Sequence, residues 1–198
     1  MLQHTMHNII DAIWPLIIIV IVVLTSFRIM DILINKKNFI LYKDLMTVLF
    51  IIYIISLFYI VTFQDVNYGS SNFVPFKEIN RYTFLSNLFI KNVMGNVLLF
   101  IPFGFFTAYF LNTKKIFPPI ILTIITSITI ETVQLKIGRV FDIDDIILNV
   151  LGGIFGFILF ILFSYIKKII PKYLKKEWLI NIILSLLIIL TLYIILHI

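Results

Sequence analysis

Two stretches of this chain, 9–27 and 45–63, each run for about twenty residues without a lysine or arginine. A bilayer core of roughly 30 Å takes about 20 apolar residues in helical form. Both runs are long enough to cross as helices, and Asp11 sits at the outer end of the first. Four further runs follow at 92–111, 116–135, 145–166 and 178–198. The chain is expected to be an all-α, polytopic membrane protein with about six transmembrane helices, forming a single integral membrane domain over 1–198.

Composition agrees, because 61% of the 198 residues are hydrophobic and only 13% charged. Soluble domains carry about 25% charged residues, enough to cover their surface. A soluble enzyme is excluded. The N-terminus lacks a basic leader and a small-residue cleavage site, so the first run is expected to persist as a helix. Between the third and fourth runs, Asn112-Thr113-Lys114-Lys115 leaves room only for an antiparallel hairpin. Pro118 and Pro119 suit the first turn of the fourth helix, where amide donors have no intrahelical partner. Trp178 is expected to anchor the sixth at the interface.

The net charge of +6 sits between apolar runs. That pattern fits attraction to membrane lipids and excludes nucleic acid as the expected partner. With six spans, eleven basic residues fall in the first, third and fifth loops and five (Lys77, Arg81, Lys91, Lys136 and Arg139) on the opposite side. The positive-inside tendency then places both termini outside the cytoplasm. The chain has no cysteine, which excludes a thiolate metal site and a cysteine nucleophile.

The informative polar residues collect on the outer side. Thr123, Ser127 and Glu131 recur every four residues and Gln134 follows three later, forming one stripe of a helix. A carboxylate in a span is costly, so Glu131 is expected to face a protein-lined polar pocket; the alternative is an interfacial residue turned to water. Asp142, Asp144 and Asp145 introduce the fifth span. They can cap the helix and complement its dipole, or, with Glu131, supply hard oxygen ligands to Mg²⁺ or Ca²⁺. No cofactor is otherwise called for.

Arg139 can pair with these acids or clamp an anionic headgroup. Asn149, one turn beyond Asp145, extends the cluster inward or bonds to a neighbouring helix. Gly152 and Gly156 have small-xxx-small spacing for close helix packing, within the chain or in a homodimer. Asn92 and Asn96 are expected on one face of the third span, with Asn96 toward the pocket and Pro102 and Gly104 kinking the helix. Asn72 opens a segment, Asn72-Phe73-Val74-Pro75-Phe76, expected to lie along or dip into the outer interface.

Four blocks, NFVPF (72–76), NVLLFIPFG (96–104), ETVQ (131–134) and RVFDIDDIILNVLGG (139–153), resemble in content and order those of the VanZ-like family of bacterial membrane proteins. The resemblance covers roughly 45–166. It implies a multi-pass protein of the bacterial plasma membrane whose prototype is associated with resistance to teicoplanin and related glycopeptide antibiotics.

Three functions follow as expectations. In the first, an outward-facing pocket of Asn72, Asn96, Glu131, Gln134, Arg139, Asp142, Asp144, Asp145 and Asn149 binds a lipid-linked cell-envelope molecule or a lipophilic glycopeptide. In the second, the protein is a membrane enzyme acting on a lipid-linked or phospholipid substrate through a carboxylate base. In the third, the cluster holds helices together or lines a transport path.

Overall fold

A computed structural model describes residues 2–36, 40–63, 71–169 and 182. Among them five helical spans are long and apolar enough to cross a membrane. The architecture is all-α and polytopic. Helices α1 (Leu2–Asn35) and α2 (Leu41–Phe63) come first. The third span, Asn87–Phe110, joins α3 (Asn87–Phe89), a π turn (Ile90–Met94) and α4 (Gly95–Phe110). Then come α5 (Phe117–Lys136) and α6 (Ile143–Ile169). The expected sixth span, 178–198, with its Trp178 anchor, lies outside the described residues apart from Ile182.

Several helices are longer than their apolar runs, α1 and the third span most clearly. Arg28, expected in the first loop, lies inside α1, because it pairs with Asp31 one turn on at 2.9 Å and with Asp44 of α2 at 2.8 Å. A charge with partners at the interface does not end a helix. The third span starts at Asn87 rather than 92. Ser86 caps it, its hydroxyl accepting the Phe89 amide at 3.1 Å, so helix forms before the apolar run begins.

The chain divides into two compact units, Met1–Ser56 with Lys167–Ile198, and Leu57–Ile166. The second unit holds the polar constellation. Within it α4 and α5 form the expected hairpin. Asn112, at φ +47°, ends α4 in the left-handed conformation, and the Asn112 and Thr113 amides bond back to the Tyr109 and Ala108 carbonyls at 3.1 and 3.3 Å. These reversed bonds satisfy the last carbonyls of the helix and turn the chain.

Glycines set the distance between α4 and α6. A Cβ on Gly152 would meet the Val97 carbonyl, one on Gly156 the Ile101 carbonyl, and one on Gly104 the Gly153 carbonyl. The helix backbones approach so closely that only hydrogen fits, which is how helices gain dispersion contact in lipid. Gly104, expected to help kink α4, is also a packing position, and the Gly152/Gly156 face is occupied by α4 of the same chain. Helix α4 runs on through Pro102. Phe105, Tyr109, Phe157 and Phe160 close the far end around Ala108.

Candidate functional site

The stripe on α5 is buried along its whole length. Thr123 and Ser127 are fully enclosed, and Glu131 is 1% exposed. Glu131 thus faces protein and is not an interfacial carboxylate turned to water. Each member has a partner. Thr123 donates to the Pro119 carbonyl at 2.8 Å, and Ser127 accepts the Asn149 side-chain amide from α6 at 2.9 Å. The Glu131 carboxylate accepts the backbone amide of Asp142 at 2.9 Å.

How α5 ends decides where Arg139 goes. Gly138 takes φ +87°, and the Gly138 and Arg139 amides bond to the Leu135 and Gln134 carbonyls at 3.3 and 2.9 Å. Glycine is the residue that adopts this turn without a steric penalty. The reversal delivers half-buried Arg139 back over the acidic residues, where it attracts both Glu131 and Asp145.

At the start of α6 the three aspartates have separate tasks. Asp142 caps the helix: its Oδ1 accepts the Asp144 amide and the Asn72 side-chain amide, each at 2.9 Å. Asn72 and Asp142 also form a parallel backbone bridge, in which the Asn72 amide donates to the Phe141 carbonyl at 2.8 Å and the Ile143 amide to the Asn72 carbonyl at 3.0 Å. Burial pushes the Asp142 carboxyl above its ordinary pKa, against the opposing effect of its hydrogen bonds from Asp144 and Asn72.

Asp144 is buried and turned toward the loop. Its Oδ1 accepts the Phe76 amide at 2.5 Å, while Oδ2 accepts those of Glu78 and Ile79 at 2.7 and 3.2 Å. Charge-assisted bonds of this kind are the strong ones, and three of them fix the loop onto α6. Asp145 instead accepts the Asn96 side-chain amide from α4 at 2.5 Å.

The expected site residues thus fall into three groups. Glu131, Arg139, Asp145 and Asn96 converge between the ends of α4, α5 and α6; Gln134, also buried, supports Arg139 through its carbonyl. Asn72, Asp142 and Asp144 tie the loop to α6. Asn149 bonds to Ser127 one turn deeper. Asn92 lies in the π turn and makes no described contact with this cluster. Among the described residues no group of three or more His, Asp or Glu side chains is arranged to hold a metal ion, and both Asp144 oxygens face amide donors.

Sequence reasoning missed the amides of Phe76, Glu78 and Ile79, and also Ser71, whose hydroxyl accepts the Phe141 amide at 3.2 Å. Backbone donors carry no side-chain signature, and only the proximity of Asn72 to Phe76 pointed to this loop.

Comparison with curated proteins and with solved structures finds no significant match in either. The model of the VanZ/LLP1 family matches residues 46–164, the segment that contains every residue of the site. The chain belongs to the VanZ/LLP1 family.

Proposed function

We propose that this protein binds a lipid-linked cell-envelope molecule or a lipophilic glycopeptide of the teicoplanin type, in the plasma membrane of a bacterium, at the cluster formed by the ends of α4, α5 and α6. The observation that carries this reading is the juxtaposition of Glu131 and Asp145. Glu131 on α5 is buried and Asp145 on α6 half-buried, the Glu131 charge acts on Asp145, and Arg139 attracts both. Bringing like charges together at a site partly withdrawn from water costs stability, and amides would join the helices without that cost. Such an arrangement is characteristic of sites that meet a ligand. Arg139 engages an acidic group of the ligand, Glu131 and Asp145 hold Arg139 and accept from hydroxyl or amino groups, and Asn96 positions Asp145. In this reading the cluster faces the exterior and both termini are extracytoplasmic.

The test uses purified protein in nanodiscs, with fluorescent teicoplanin and a labelled isoprenyl-pyrophosphate saccharide as probes. Arg139→Ala and Glu131→Gln, each shown to be folded, are expected to lose affinity for one of the two probes by tenfold or more, on the order of 1.4 kcal/mol. Parent-like affinity in both variants sinks the reading. Since the chain has no cysteine, an impermeant maleimide on Val140→Cys and Lys175→Cys checks the orientation. Labelling of Val140→Cys alone in intact cells is expected.

A second reading has its own support: Asn72, Asp142, Asp144 and Asn149 all spend hydrogen bonds within the chain. On that reading the network serves only to hold helices and loop together. It predicts that neutralising Glu131 lowers thermal stability and that neither probe shifts the melting temperature of the parent.

A further inference from the structure

Phe76 and Leu85 both take positive φ, +64° and +61°. Bulky L residues adopt that region only where the surroundings force them. The constraints are visible at both positions. Asp144 draws in the amides of Phe76 and Glu78, one on each of its oxygens. Next to Leu85, Ser86 closes a turn through its amide bond to the Thr83 carbonyl at 3.0 Å and caps α3 with its hydroxyl. The strained backbone has the same effect twice: it turns a large apolar side chain outward. Phe76 is 54% exposed and Leu85 65%, and Phe73, Val74, Phe84 and Leu88 are exposed beside them in the sequence.

A strained backbone that presents apolar side chains is favourable only if those chains leave water. The segment runs directly into the span Asn87–Phe110, and its bridge to Asp142 holds it at the end where α5 stops and α6 starts. Its apolar side chains therefore lie at the depth of the lipid interface. Its charge specifies which lipid. Lys77, Arg81 and Lys91 are exposed among the apolar residues. Glu78 is the segment's one acid, and it is already paired with Arg81 at 3.2 Å. Three cations against one carboxylate leave a basic, aromatic surface.

We propose that residues 73–91 form an interfacial platform that seats on anionic phospholipid headgroups of the adjoining leaflet, with Phe73, Phe76, Phe84 and Leu85 in the acyl boundary and Lys77, Arg81 and Lys91 on the phosphates. The platform is independent of the Glu131–Asp145–Arg139 cluster and stands if that cluster binds nothing.

The chain has no cysteine, so Phe84→Cys carrying a bimane reports on this surface alone. The full chain is reconstituted in vesicles in which a fixed fraction of lipid is brominated, either as phosphatidylglycerol or as phosphatidylcholine. Stronger quenching by the brominated phosphatidylglycerol is expected. Each of Lys77→Gln, Arg81→Gln and Lys91→Gln is expected to lower that preference by up to about fivefold, the effect of one cation at an anionic surface. Lys114→Gln with Lys115→Gln, in the α4–α5 turn, leaves it unchanged. Equal quenching by the two lipids overturns the proposal. So does quenching by neither, or a preference that survives removal of all three cations in a protein with parent-like melting.

Discussion

Asp144, buried in the first turn of α6, accepts the backbone amide of Phe76 across 68 positions of sequence. The bond joins a carboxylate that looked like a ligand to a loop that looked like a surface feature. Because Glu78 and Ile79 donate to the other oxygen, the side chain is committed to holding the loop. Asp144→Asn places an NH₂ group against one set of those donors and is expected to destabilise by about 2 kcal/mol, the cost of opposed and unsatisfied buried donors. The checks are thermal unfolding in detergent and the rate of tryptic cleavage after Lys77 or Arg81. Unchanged melting and unchanged cleavage would refute the anchoring role.

The glycines divide into those that save space and those that save backbone strain. Gly104→Ala and Gly156→Ala push a methyl into the backbone of the facing helix, and each is expected to cost about 2 to 3 kcal/mol. Gly138→Ala meets no atom within 4 Å, but its φ of +87° carries a penalty of about 1 kcal/mol. At Gly95 the nearest atom lies 3.8 Å away, so Gly95→Ala is neutral or stabilising through helix propensity. Ranked melting temperatures of the four variants test the packing directly; a Gly95→Ala protein as damaged as Gly104→Ala would contradict it.

Much of the fold could be read from the sequence, for a physical reason. Apolar runs of bilayer length allow little besides helices, so α2, α4, α5 and α6 follow from hydropathy. The four-residue spacing of Thr123, Ser127 and Glu131 marks one polar face of a span, and a polar face in hydrocarbon is favourable where it meets protein. Less legible were features that depend on pairing across the fold. Arg28 ends up inside α1 because Asp44, on another helix, neutralises it. The π turn before Gly95 has no signature in hydropathy. Asp144 and Asp145 are adjacent in sequence, yet one faces the loop and the other Asn96, since side chains 100° apart on a helix point to different neighbours.

The Ser127–Asn149 bond, at 2.9 Å between two buried side chains, is a polar link between α5 and α6 inside the span. Ser127→Ala leaves the Asn149 amide without its acceptor, and Asn149→Ala removes the donor. A double-mutant cycle on thermal stability is expected to return a coupling of about 0.6 to 1 kcal/mol, the size such bonds reach inside membranes. A coupling indistinguishable from zero would mean that the two side chains act independently, and that α5 and α6 are held by the contact of Gly153 with Thr123.

Asp142 gives the stability of this unit a pH dependence with a defined sign. Its native pKa is raised, first by burial and then by the charges of Asp144 and Glu78, while the Asp144 amide and the Asn72 side chain pull the other way. The folded state therefore holds this proton more tightly than the unfolded state does. Between the ordinary carboxylate value and the raised native one, the unfolded chain has lost the proton and the folded chain has kept it, so stability falls as pH rises through that window. Asp142→Asn removes the titration yet keeps an oxygen that can cap α6 and accept from Asn72. Melting curves of the parent and of Asp142→Asn, recorded from below pH 4 to neutrality, are expected to diverge in the variant's favour as pH increases. Parallel curves would show that burial and the hydrogen bonds cancel, and a parent that gains on the variant would show that the amide and Asn72 hold the carboxylate charged; either outcome overturns the prediction.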